Sequence, residues 1–103
     1  MKHYLSFLTG VAAVAALLLL CISASRNSTT IFIIGDSTAA NKDISKGKQE
    51  RGWGMALQCY FDDNIRVDNH AVNGRSSLSF LTEGRWQKVL DRMKPGDYVI
   101  IQF

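Results

Sequence analysis

The chain has one proline, two cysteines and no basic run in 103 residues. So little proline excludes a proline-rich linker, and two cysteines exclude a mini-domain stapled by several disulfides. Charged residues make up only 20% and hydrophobic residues 47%, which excludes a disordered tail, a collagen and a coiled coil. The formal net charge is only +3, and its basic residues are scattered rather than interleaved with aromatics. No nucleic-acid partner is therefore expected. No His, Cys, Asp or Glu cluster has metal-ligand spacing, so no metal is expected. The glycine signature of a dinucleotide site and the lysine of a P-loop are also missing, and no cofactor is expected. Repeats and low-complexity tracts are absent. The length permits one domain at most.

What is present is unevenly spread. Met1-Lys2-His3 opens the chain with positive charge, and no charged residue follows from Tyr4 to Ile22. Val11 to Ile22 is an unbroken apolar run, and Ser23-Ala24-Ser25 supplies small residues before Arg26. That pattern is a secretory signal peptide over residues 1–25, with cleavage expected between Ala24 and Arg26. It places the protein outside the cytoplasm, secreted or periplasmic. Two other readings stay open. The segment could remain as an uncleaved anchor, the one way this chain would meet a membrane, although the run is short for a span of about 20 residues. Leu20-Cys21 could be a lipidation site, but Leu20 is large for the position before such a cysteine. With the signal set aside, residues 26–103 are near charge balance and Cys59 is the last cysteine. It lies on an apolar helical stripe, which predicts a buried structural thiol.

The rest alternates between strand and helix patterns. Thr29-Thr30-Ile31-Phe32-Ile33-Ile34 is a β-branched run ending at Gly35, which predicts a strand buried on both faces. Residues 38–51 are polar and predict a long exposed loop, a feature that is uncommon and often functional. Trp53, Ala56, Leu57, Tyr60 and Phe61 fall on one helical face. Ile65 to Val72 predicts a second strand running into Asn73-Gly74. Trp86, Val89, Leu90 and Met93 mark a second helix. Pro95-Gly96-Asp97 is a turn. Tyr98 to Phe103 predicts a third strand of the buried type. Strand–helix–strand–helix–strand is the order of a doubly wound α/β domain with a parallel sheet.

In such sheets, ligands bind beyond the carboxyl ends of the strands. Two polar turns fall there. In the first, Gly35-Asp36-Ser37, the sharp turn would present the Ser37 hydroxyl to the crevice, where a neighbouring base could activate it. Asp36 or Ser37 could equally be capping a following helix. In the second, Asn73-Gly74-Arg75, the glycine would expose a backbone N–H. Together with the Ser37 N–H it could donate to a developing oxyanion. Alone, Gly74 reads as an ordinary turn glycine. His70 is placed in a strand and is read as structural or at the rim. Asp36 is read as organising the backbone of its turn. Trp53 and Trp86 are read as core, with Trp53 able to line the cleft.

Taken in order, these blocks resemble the SGNH (GDSL-type) hydrolases, most closely their rhamnogalacturonan acetylesterase-like branch. The matching text is Ile33-Ile34-Gly35-Asp36-Ser37-Thr38-Ala39-Ala40, then Asn69-His70-Ala71-Val72-Asn73-Gly74-Arg75-Ser76-Ser77-Leu78-Ser79-Phe80. It continues through Glu83-Gly84-Arg85-Trp86 and from Lys94 to Phe103.

The resemblance implies a flavodoxin-like sheet, truncated after its third strand, in residues 26–103. It implies a serine esterase with Ser37 as nucleophile and Ser37 and Gly74 as oxyanion donors. The expected substrate is an O-acetyl group on cell-wall polysaccharide such as rhamnogalacturonan, with Arg75 and the basic loop residues helping to position an acidic polymer. The family's Gly-His-Asn-Asp and Asp-x-x-His blocks, which supply a third donor and the catalytic acid and base, have no match here. The chain by itself is therefore expected to be inactive. The alternatives are an exported or anchored carbohydrate-binding or scaffold remnant without catalysis, or an SGNH lipase or thioesterase.

Overall fold

The structure is a computed structural model and describes residues 1–23 and 28–103. The expected cleavage point between Ala24 and Arg26 lies outside the described residues, as does the Cys21 side chain. Helix α1 runs Lys2–Ser23. Its described stretch Lys2–Leu19 is predominantly apolar, is not buried, and is long and apolar enough to cross a membrane. The span therefore begins earlier than the Val11 to Ile22 run indicates. Length and composition suit an export signal and an anchor equally.

The folded part is built on strand β1 (Thr29–Gly35). Strand β2 (Ile65–Asn69) and strand β3 (Tyr98–Gln102) flank it. All pairings are parallel and the order is β2-β1-β3, the start of a flavodoxin-like sheet. As the central strand, β1 is buried on both sides because its residues alternate between faces. Phe32 and Ile34 pack with Phe80 and Val89, edged by Trp86, Met93 and Val99. Ile33, fully buried, points to the other face. Asp97 ties the turn before β3 to the start of β1, accepting from the backbone N–H of Thr30 and of Lys94, both at 2.8 Å.

Four expectations are corrected. The segment from Trp53 to Phe61 is not an α-helix but two 3₁₀ turns, Trp53–Met55 and Leu57–Tyr60. An amphipathic stripe winds into an α-helix when it has a face to bury against. This segment instead runs along the free edge of β2. There the Gln58 side chain donates to the Ile65 carbonyl at 2.9 Å and accepts from Val67 N–H at 2.7 Å, as a neighbouring strand would. Cys59 is consequently exposed rather than a buried thiol. The predicted second helix, α3 (Arg85–Leu90), ends short of Met93 and Lys94, and an unpredicted helix, α2 (Ser77–Thr82), precedes it across Glu83 and Gly84. β2 stops at Asn69, short of Val72. The residues after it still hydrogen-bond to the carboxyl end of β1, His70 N–H to the Ile33 carbonyl and Val72 N–H to the Gly35 carbonyl.

Candidate active site

Both candidate turns lie where the strands of the sheet end. β1 ends at Gly35, and its continuation turns back on itself: the Asp36 carbonyl accepts from Ala39 and Ala40 N–H at 3.3 and 3.1 Å. The Asp36 carboxylate closes the same turn, accepting from Thr38 N–H and Thr38 Oγ1, each at 2.9 Å. These bonds, the backbone one foremost, hold the Asp36 carboxyl below its usual range. Asp36 thus organises the turn, and no helix follows for it or Ser37 to cap. Ser37 stands exposed at the crest. Among the described residues nothing hydrogen-bonds its hydroxyl.

Behind the turn lies Gln102, the last residue of β3. Its Oε1 accepts from Trp53 Nε1 at 2.6 Å and lies 2.9 Å from Thr38 Oγ1. Thr38 has one hydroxyl proton, so it serves Asp36 or Gln102 at any moment. Trp53 N–H also donates to the Thr38 carbonyl at 3.0 Å. Trp53 is 38% exposed, so it stands beside the turn rather than in the core. Gly54 makes this approach possible: a Cβ there would overlap the Ala39 carbonyl and the Asn69 side chain.

The second turn runs from Val72 to Arg75 and is closed by Arg75 N–H to the Val72 carbonyl at 3.3 Å. Gly74 has φ +68°, the left-handed conformation that a third turn position of this kind requires. It leads directly into α2, whose first turn is capped reciprocally by Ser76 and Ser79. Arg75 Nε donates to Glu83 Oε2 at 3.1 Å, and Arg75 Nη1 reaches the Asn73 carbonyl at 3.3 Å. With Arg85 foremost and Arg75 next, these guanidinium groups hold the Glu83 carboxyl below its usual range.

Two side chains cross between the turns. Asn69 Nδ2 lies 2.8 Å from both the Ala39 carbonyl and Asn41 Oδ1. Lys42 Nζ donates to Asn73 Oδ1 at 2.7 Å and pairs with Glu50 Oε1 at 3.2 Å. His70 belongs elsewhere. Its ring packs on Phe32 with centroids 5.9 Å apart, and Nε2 lies 3.3 Å from Asp68 Oδ1 but out of hydrogen-bond alignment. The sequence reading, structural or at the rim, placed it in the second strand; it lies just past the end of β2, its ring against Phe32.

A probable rhamnogalacturonan acetylesterase of Bacillus subtilis, YesY, is 38% identical over 72 residues, covering 70% of this chain and 32% of its own length. The rhamnogalacturonan acetylesterase of Emericella nidulans is 38% identical over 90 residues, covering 85% of this chain and 32% of its own. The crystal structure of the Bacillus subtilis protein YxiM superposes with a TM-score of 0.67 at 34% identity, covering 74% of this chain and 22% of that one. Over this stretch the chain resembles the N-terminal part of the SGNH hydrolases, on their rhamnogalacturonan acetylesterase-like branch. It has their α/β fold. It spans about a third of the length of the acetylesterases it matches. No protein-family model matches it.

Within this SGNH framework, Ser37 and Gly74 occupy the turns at the ends of adjacent strands. The residues that sequence reasoning missed are three that hold the turns, Lys42, Asn69 and Gln102; Trp53, read as core with a place at the cleft left open, stands beside the first turn. Gln102 carried a signal, being a polar residue that closes an otherwise apolar strand at its carboxyl end. Lys42 and Asn69 carried none, because their partners lie 31 and 30 residues away.

Proposed function

We propose that this chain supplies the nucleophile and two oxyanion donors of a serine esterase that removes O-acetyl groups from a cell-wall polysaccharide, rhamnogalacturonan foremost. The observation that carries the reading is the pairing of the two turns. An exposed serine and a positive-φ glycine sit at the ends of neighbouring parallel strands, strapped together by Asn69 and Lys42. Relatives whose names specify rhamnogalacturonan acetylesterase support the substrate.

In this reading Ser37 Oγ attacks the acetyl carbonyl carbon as a base takes its proton. The Ser37 and Gly74 N–H groups receive the negative charge on the carbonyl oxygen. The carbohydrate alkoxide leaves with that proton, and water then releases acetate from the serine. The base is not provided by residues 1–103, whose two histidines are His3 in α1 and His70 beside Phe32. The basic residues around the turns are mostly occupied: Lys42 by Glu50, Arg75 by Glu83, and Lys48 by Asp43 at 3.7 Å. Polymer recognition then rests on more than charge. α1 acts as the export signal, placing the enzyme where polysaccharide is found.

The experiment measures acetate release from acetylated rhamnogalacturonan. Residues 1–103 alone are expected to release none. A form completed to the length of its acetylesterase relatives is expected to be active, and Ser37→Ala in that form is expected to lose activity by at least about 10³-fold. Acetate release by the 103-residue chain, or full activity of Ser37→Ala, overturns the assignment.

A further inference from the structure

We propose that Lys42 is a positioning residue: it straps the loop after the nucleophile turn to Asn73 and so fixes where the Gly74 N–H points. This rests on the reading of Gly74 as an oxyanion donor. The starting observation is burial. The Lys42 side chain is only 5% exposed although it belongs to a polar loop. Lysine is almost never buried unless paired, and ordering its four-carbon stem is costly in rotamer entropy. A lysine held that way is doing something that a solvated one could not.

Its partners indicate what. Nζ has three donors and no acceptor. One donor meets Asn73 Oδ1 at 2.7 Å and another faces Glu50 Oε1 at 3.2 Å. The backbone N–H of Lys42 points to Met55 Sδ at 3.2 Å, which fixes the root of the side chain as well as its tip. The ammonium is turned inward and occupied, so it does not face a substrate carboxylate.

Asn73 is the residue whose carbonyl shares a peptide plane with the Gly74 N–H. In a trans peptide the C=O and N–H point in opposite directions. Whatever holds that carbonyl therefore aims the N–H. Arg75 Nη1 reaches the Asn73 carbonyl at 3.3 Å, and Arg75 is itself anchored on Glu83. Lys42 holds the side chain of the same residue from the opposite loop. The peptide carbonyl is thus held by Arg75, anchored on Glu83 just after α2, and the Asn73 side chain is held from the nucleophile loop by Lys42. Of the two grips, only the one from Lys42 links the glycine to the segment that carries Ser37. A donor for a developing charge must be in place before the reaction, and this strap is a means of preorganising it.

The test reads Gly74 directly, by ¹H–¹⁵N NMR of the labelled chain in detergent micelles. Lys42→Met is expected to displace the Gly74 amide and Asn73 side-chain resonances while Val89 and Ile34 methyl resonances stay in place. Lys42→Arg, which keeps a charged donor, is expected to return them part of the way. Unmoved Gly74 and Asn73 resonances overturn the proposal. So does loss of the Val89 and Ile34 dispersion in both variants, because the lysine would then hold the core rather than the turn. Turnover adds an independent arm in the esterase-active form. There Lys42→Met is expected to lower kcat about tenfold with KM unchanged, less than the 10²–10³ of losing a donor outright. A raised KM at constant kcat overturns it. The acetylesterase reading fails separately, through an active Ser37→Ala, and that failure leaves the Gly74 resonance unaffected.

Discussion

Single side chains that accept backbone hydrogen bonds decide much of this molecule's local geometry. Asp36 does so inside the turn that follows β1, and Asp97 between the turn before β3 and the first residues of β1. The Asp97 carboxyl is held below its usual range, first by the Thr30 N–H and then by the Lys94 N–H. A carboxyl whose folded pKa is depressed contributes stability above its unfolded value, and that contribution is lost as pH falls through the folded value. The stability should therefore be fully present above about pH 5.5 and decline as pH falls through the ordinary carboxylate range and below it. Asp36, Asp43 and Glu83 are shifted in the same direction and share the effect. The urea midpoint measured from pH 6 down to pH 2 is expected to fall on that limb, and Asp97→Asn is expected to shallow the fall without removing it. An unchanged limb in Asp97→Asn would mean that the strand-to-turn clamp contributes nothing.

At the scale of elements, what was legible in the sequence and what was not divide on physical grounds. β1 and β3 were readable as compact β-branched runs, Ile31-Phe32-Ile33-Ile34 and Val99-Ile100-Ile101, and β2 by its alternation. But β3, expected to be of the buried type, has Tyr98, Ile100 and Ile101 exposed because no described element covers that edge. The two site turns were readable because they sit at strand ends. The 3₁₀ turns after Gly52 were not, since their shape is set by Gln58 on the β2 edge and Trp53 on Thr38, contacts invisible to periodicity. α2 was missed because six residues give too little periodicity, although Ser76 with Ser79 is a short-range start signal. That helix nonetheless delivers Phe80, which is 1% exposed and packs on Phe32, Ile34 and Val89. Phe80→Ala is expected to cost about 3–5 kcal/mol, the range for truncating a buried aromatic. Marginal domains hold about 5 kcal/mol in total. Loss of a cooperative urea transition in Phe80→Ala is therefore the expected result, and a loss under about 1 kcal/mol would show that α2 is not integral to the core.

For the whole molecule, the deciding fact is how much apolar surface three strands and two short helices leave uncovered. A parallel strand of the β3 type normally has cover on both faces and a partner on each edge. Among the described residues β3 pairs only with β1. Tyr98, Ile100 and Ile101 are all exposed, Ile101 to 62%, and Ile101 joins Phe103, Leu81 and Trp86 around an apolar groove. An unpaired apolar edge is a template for association with another chain, and natural edges avoid this with charge, lysine above all. Ile101→Lys places that charge on the strand without touching the Phe32–Ile34–Phe80–Val89 cluster. Because little burial is lost, unfolding should change by no more than about 0.5 kcal/mol. The soluble fraction of residues 28–103, freed of α1, should rise, and binding of an apolar dye should fall. If instead Ile101→Lys unfolds the chain while leaving solubility unchanged, β3 is held by burial that this exposed edge does not account for, and association must be driven from another surface.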